Sequence, residues 1–408
     1  MTSSYSNIQR RKFNLTGASS SKANSRNSRR QEHPRPNIIW MIADDAGWGD
    51  FGCYGNPVIR TPNIDQMAAQ GLRFTNAFAT APQCSPSRAS IWTGKYAHST
   101  GTEDLHDPLP AEDRPFFLAV GFYEPHRPYL WEKVRSRYNA EEVEVPIYLP
   151  STLQVRKDLS RYYTEISRMD KRIGRIIAYL EDKNLIKETL LIFFSDHGLP
   201  FPRAKGFLYD PGIKVPLVMQ WEDVIEPGIR GGLTSLIDLT PTLLDLLEIK
   251  IADDFHGKSF LPLLADEHVA GRTHIYTERN WHDLDDHIRS VRTSHYKYIR
   301  NYYPWQPYTL PADVYGSPSF KSMRKLRDAG ELDEPEQLIF RQPRPEEELY
   351  NLDEDPNEFH NLAEDSDYRD VLVRLREDTE SWEDRTHDVS PAKRKPNRAN
   401  YWKHVHDG

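Results

Sequence analysis

Cysteine is scarce. Two residues in 408 exclude a disulfide-built scaffold and leave either thiol free for chemistry. Long apolar runs are missing too. None approaches the roughly 18 residues that a membrane span requires, so no transmembrane helix is expected. Positive charge dominates only at the ends. Residues 1–36 carry eight Lys/Arg against one Glu, and residues 391–408 carry five Lys/Arg against one Asp. The whole chain nevertheless has a formal net charge of −8, so its body is strongly acidic. That excludes nonspecific nucleic-acid binding as its main role. Residues 1–36, rich in Ser, Asn and Arg, read as a disordered basic tail, and 391–408 as a second basic tail. Arg10-Arg11-Lys12-Phe13 has a twin arginine but no apolar segment after it, so no clear signal peptide is present.

What is present is an α/β pattern. Ile38 to Ala43 is a continuous apolar run ending at Asp44-Asp45, as expected of a strand buried on both faces. Thr61-Pro62-Asn63 opens a helix that carries Ile64, Met67, Ala68 and Leu72 on one face. Arg73 to Phe78 reads as a strand, and Pro86 to Thr93 as a helix closed by Gly94. Strands follow at Phe116 to Val120, Leu190 to Phe194 and Val215 to Trp221, with helices over 154–182 and 236–247. This alternation predicts a large, mostly parallel sheet sandwiched by helices over residues 37–285. Beyond it, Ile288 to Tyr303 alternates like a hairpin strand, 306–345 is irregular, 348–352 is a short strand and 367–384 a terminal helix. Residues 286–390 therefore form a small C-terminal subdomain, an antiparallel sheet plus helix.

The residues with the most chemistry lie in Cys84-Ser85-Pro86-Ser87-Arg88 and Thr93-Gly94-Lys95. Ser85 suits an N-cap and Pro86 a first helical position, so Cys84 sits just before a helix N-terminus, where free N–H groups favour an anion. Arg88, one turn on, reaches the same side. Asp44-Asp45 and Asp196-His197 end two strands, and carboxyl ends of parallel strands are where ligands bind in such sheets. Oxygen-rich clusters of this kind suit a hard cation. His126 follows the strand at 116–120 between two prolines. Lys205 lies nine residues after Asp196. Glu278, Trp281, His282 and Asp283 follow a strand at 273–277 and are candidates for a substrate pocket.

The Cys84 motif with Thr93-Gly94-Lys95 resembles the sulfatase signature C-x-P-S-R followed by T-G-R/K. The resemblance extends over nearly all of 37–390 and implies an alkaline phosphatase-like fold. It implies that Cys84 is oxidised by a formylglycine-generating or sulfatase-maturating enzyme to formylglycine, whose hydrate is the nucleophile. It gives Arg88, His126 and Lys205 catalytic roles at the sulfate. It implies a calcium site of Asp44, Asp45, Cys84, Asp196 and His197, with His197 standing where the family usually has Asn. Glu278 and His282 would bind substrate. The segments 194–202, 315–320 and 348–350 and Thr386-His387-Asp388 are similar to the heparan N-sulfatase (sulfamidase) branch. The implied reaction is hydrolysis of a sulfate ester or sulfamate on a glycosaminoglycan-like sugar, outside the cytosol. An anionic substrate in so acidic a body implies a locally positive cluster.

One departure stands out. The family carries a G-K-x-H segment between the T-G-R/K turn and the P-F-F-L strand, and its Lys and His bind the sulfate and the formylglycine. Here Leu109-Pro110-Ala111-Glu112-Asp113 runs straight into Arg114-Pro115-Phe116, and no G-K-x-H occurs anywhere. Lys95-Tyr96-Ala97-His98 belongs to the preceding turn. An internal segment near 109–114 is missing, and the loss of its strand would expose a sheet edge. Two other readings follow: a catalytically impaired sulfatase-like protein, and a phosphohydrolase of the same superfamily, against which the Cys84 motif argues.

Overall fold

The computed structural model describes residues 35–99, 115–129 and 137–389. Almost all of the two basic tails, and residues 109–114, lie outside the described residues. The strands are β1 (Asn37–Ala43), β2 (Leu72–Phe74), β3 (Ala77–Phe78), β4 (Phe117–Gly121), β5 (Thr189–Ser195), β6 (Lys214–Val215), β7 (Leu217–Gln220), β8 (Gly228–Arg230), β9 (Thr234–Ser235), β10 (Ile275–His282), β11 (Leu284–Arg292), β12 (Tyr296–Asn301) and β13 (Glu347–Asn351). Six of them form the main sheet in the order β4-β1-β5-β7-β2-β8. All run one way except β7, which opposes both its neighbours.

The unbroken apolar run of β1 has a direct structural reason. Its alternate residues feed two different cores. Ile39, Met41 and Ala43 join Leu191 and Phe193 under helix Leu153–Asp182. Ile38, Trp40 and Ile42 join Leu190, Ile192 and Phe194 under helix Leu239–Leu246. A sheet covered on both faces has no polar side to show. The long helix starts where Thr152 accepts a hydrogen bond from Val155 N–H, and it buries Leu159, Tyr163, Ile166, Met169 and Ile173 on one stripe.

Strand β4 is the sheet edge. It pairs with β1 on one side and with no strand among the described residues on the other. Phe116 and Phe117 are 37% and 36% exposed there, as expected where a covering strand is lacking.

Several local expectations are corrected. The helix at Pro62 stops at Ala69, and Leu72 opens β2. The strand expected over 73–78 is split between two sheets, β2 in the main one and β3 in the three-stranded β6-β3-β9. The stretch 306–345 contains helix Pro318–Ala329, whose start is fixed by Ser317 accepting from Phe320 N–H and by Pro318 in the first turn. The four-stranded antiparallel sheet β10-β11-β12-β13 begins at Ile275, ahead of the boundary read at 285/286, because β10 pairs with β11.

Candidate active site

Eight of the expected site residues come together beyond the carboxyl ends of β1, β4 and β5. β1 delivers Asp44 and Asp45. Asp45 has φ 72°, a left-handed turn that Asp tolerates better than most side chains. The turn is pinned by Asp45 N–H donating to Asp196 Oδ1 (3.3 Å) and Ala46 N–H to Ser195 Oγ (2.8 Å). Helix Cys84–Thr93 delivers Cys84 and Arg88. It starts two residues earlier than the capping pattern predicts. Gln83, in extended conformation, is the N-cap and Ser85 lies inside the first turn. The far end is as expected, with Gly94 at φ 65° closing the helix.

The Cys84 thiol donates to Asp44 Oδ1 at 3.2 Å and lies 3.3 Å from His197 Nε2 and 3.9 Å from Asp45 Oδ1. Arg88 Nε donates to Asp196 Oδ2 (2.7 Å). Its Nη2 is buried, 3.4 Å from Asp44 Oδ2, and makes no hydrogen bond among the described residues. Lys205 is buried with its Nζ between Asp45 Oδ2 (2.7 Å) and Asp313 Oδ2 (2.9 Å). His126 Nε2 faces the same two carboxylates at 3.8 and 3.9 Å. Its Nδ1 lies on the Arg127 carbonyl.

Four carboxylates thus crowd around two permanent cations, and the protonation equilibria respond. Burial, with the charges of Asp196 and Asp45, pushes Asp44 up to about 6. Burial acts the same way on Asp45, but Lys205, His197 and His126 outweigh it and hold that carboxyl well below its usual range. Burial and the surrounding carboxylates push the Cys84 thiol up, despite Lys205. An unmodified Cys84 is therefore a poor thiolate nucleophile. His197 is fully buried. If its Nδ1–H donates to the Gly198 carbonyl (3.0 Å), its Nε2 lone pair is left facing Asp45 Oδ1 (2.9 Å) and Cys84 Sγ. That is the orientation a metal-binding imidazole needs. The donor atoms of Asp44, Cys84, Asp196 and His197 all lie within 4.8 Å of one another, as do those of Asp44, Asp45, Cys84 and His126. These groups could hold a cation.

Two sequence expectations fare differently. His282 stands at the rim. Its Nδ1 lies 3.0 Å from Asp283 Oδ2, and burial, aided by Lys205 and Arg279, lowers its pKa. Glu278 is corrected. It lies within β10 instead of after a strand, is buried, and its carboxylate takes the backbone N–H and ring Nδ1 of His98 at 3.1 and 2.5 Å. Its oxygens are spent on His98, so it lines no substrate pocket. His98 and Lys95 do not supply the missing sulfate-binding pair either, since Lys95 is on Asp254. Asp313 is the residue that sequence reasoning missed. It sits in the short helix Ala312–Tyr315, inside the stretch 306–345 read as irregular.

The sulfatase family model matches residues 36–112 and 102–249, and a model of the N-sulphoglucosamine sulphohydrolase C-terminal region matches 197–329. The chain belongs to the sulfatase family. Human N-sulphoglucosamine sulphohydrolase is 29% identical, over 86% of this chain and 90% of that protein. An ulvan-active sulfatase from Formosa agariphila is 28% identical, over 85% of this chain and 74% of that protein. Among solved structures, a protein in complex with its substrate D-glucosamine-2-N,6-O-disulfate aligns with TM-score 0.66 at 18% identity, covering 88% of this chain and 99% of that one. The phosphonate monoester hydrolase of Agrobacterium radiobacter aligns with TM-score 0.62, also at 18% identity, over 89% and 100%. These two share the fold. The alignment with the human sulfatase runs over 465 residues, more than the whole 408-residue chain, though it uses only 86% of it. That relative therefore carries internal stretches with no counterpart here. The two pieces of the sulfatase match meet at 102–112, beside the expected gap.

Proposed function

We propose that this sulfatase hydrolyses a sulfate ester or sulfamate on an amino-sugar substrate, with Cys84 as formylglycine and calcium bound by Asp44, Asp45, Asp196 and His197. The observation that carries the reading is the convergence of Cys84, Arg88, His126 and Lys205 on this carboxylate cluster from separate segments. The donor set fits a hard cation: carboxylate oxygens predominate, and the cluster has more carboxylates than cations. The expectation of a locally positive site is revised accordingly, because the protein groups alone leave it acidic.

When formed, formylglycine supplies a geminal diol, one hydroxyl of which attacks sulfur while the other later expels sulfate. The chain's own groups do the rest. Arg88 offers its unbonded Nη2, and Lys205 its ammonium, to the sulfuryl oxygens. His126 is set to hand a proton to the leaving oxygen or nitrogen. Asp44 and His197 keep the side chain at position 84 oriented. The protein is further proposed to act outside the cytosol and to depend on a formylglycine-generating or sulfatase-maturating enzyme. No helix among the described residues is long and apolar enough to cross a membrane.

The test is release of inorganic sulfate from N-sulfoglucosamine and from glucosamine 6-sulfate, with calcium and with a chelator. Calcium-dependent release from either supports the reading, and no release from aldehyde-bearing protein contradicts it. The second reading, an impaired sulfatase that binds without turnover, is favoured by the missing G-K-x-H and by a β4 edge that no strand covers among the described residues. Sugar-sulfate binding with no release would select it.

A further inference from the structure

The Cys84 cluster accounts for sulfate chemistry but not for what carries the sulfate. Two groups flank His126 and are left over. Tyr123 is 52% exposed, high for an aromatic that is held in place. Its hydroxyl donates to the Arg127 carbonyl at 2.9 Å, and its ring centroid lies 5.3 Å from that of His126. The loop beneath it is rigid. Arg127 is buried, donates to both oxygens of Asp158 (2.9 and 2.8 Å), and donates through Nε to the Pro200 carbonyl (2.9 Å). On the other side, Asp313 gives Oδ2 to Lys205 and faces His126, while its Oδ1 takes no hydrogen bond from the described residues. Its short helix is anchored by Ala312 N–H donating to Asp283 Oδ2 at 2.7 Å.

We propose that Tyr123 and Asp313 form a pyranose subsite at the mouth of the site: the Tyr123 ring stacks on the sugar, and Asp313 accepts from its hydroxyl or ammonium groups. The proposal rests on the sulfatase reading and names the residues that would hold its sugar. A pyranose has an apolar C–H face and a polar rim, so it asks for one fixed aromatic surface and a few aimed acceptors. A bare sulfate asks for neither. Placed on either side of His126, the two groups would hold the sugar where His126 meets the leaving atom.

The two halves of the ligand can be probed separately on the full chain, with D-glucosamine for the subsite, followed by saturation-transfer NMR, and inorganic sulfate with calcium present for the Cys84 cluster, followed by isothermal titration calorimetry. Tyr123→Leu and Asp313→Asn are each expected to weaken glucosamine about tenfold, and Tyr123→Phe by less than about twofold. Neither Tyr123 variant should weaken inorganic sulfate, because Lys205 and Arg88 remain; Asp313 holds Lys205, so the sulfate control is read on the Tyr123 variants. The proposal is overturned if wild type does not bind glucosamine, if Tyr123→Leu or Asp313→Asn binds it as wild type does, or if Tyr123→Leu weakens both probes equally. Failure of the sulfatase reading looks different: glucosamine binds and responds to the variants, but sulfate neither binds nor is released from a sulfated sugar.

Discussion

Lys205 shows how closely individual residues in this site depend on one another. Its ammonium is buried between Asp45 and Asp313, and its charge holds Asp45 ionised against burial. Lys205→Met keeps the volume but leaves buried carboxylates uncompensated, so the folded state should lose about 3–5 kcal/mol. Denaturant unfolding reads this directly, and a variant within about 0.5 kcal/mol of wild type would show that the pair contributes little. At Cys84 the expectation is reversed. The side chain packs no core, and Cys84→Ala should leave the unfolding midpoint nearly unchanged. Turnover should fall more than about a thousandfold, since the rest of a catalytic set does little without its nucleophile. Normal sulfate release by Cys84→Ala would remove it from the chemistry.

Among the elements, the loop after β4 matters most. It carries Tyr123 and His126 over the site, and the Arg127–Asp158 ion pair ties it to helix Leu153–Asp182. Ser319 Oγ donates to the same carboxylate (2.6 Å), which adds helix Pro318–Ala329 to the joint. Asp158→Ala should therefore cost about 3–5 kcal/mol and raise KM together with its loss of stability. A melt unchanged from wild type would contradict the joint. Most of this architecture could be read from the sequence. Strands buried on both faces announce themselves as apolar runs, and Asp44, Asp45, Asp196 and His197 stand at their ends. Helix Pro318–Ala329 has a Ser-Pro start that is visible in the sequence, inside the stretch 306–345 read as irregular. Glu278 was not legible, because only tertiary contact shows that His98 consumes its carboxylate. Asp313 was not legible either, since a single Asp in a proline-flanked stretch has no pattern until Lys205 meets it.

At the scale of the whole molecule, an acidic protein with an acidic cluster at its site has a cost that a bound cation relieves. Calcium should raise the melting temperature, by the equivalent of about 2.7 kcal/mol at a hundred times Kd, and a chelator should reverse it. Asp196→Asn should blunt that shift, and an identical shift in the variant would locate the cation elsewhere. β4 has no strand on its outer side among the described residues, and the human relative carries internal stretches with no counterpart here.

The proposed sulfate chemistry at that cluster needs Cys84 as an aldehyde. The decisive measurement is the mass spectrum of the peptide spanning Cys84, from protein co-expressed with a formylglycine-generating enzyme. The account predicts a peptide in which the thiol-bearing carbon has become an aldehyde, trapped as its hydrazone. A peptide carrying only the unmodified thiol would contradict it.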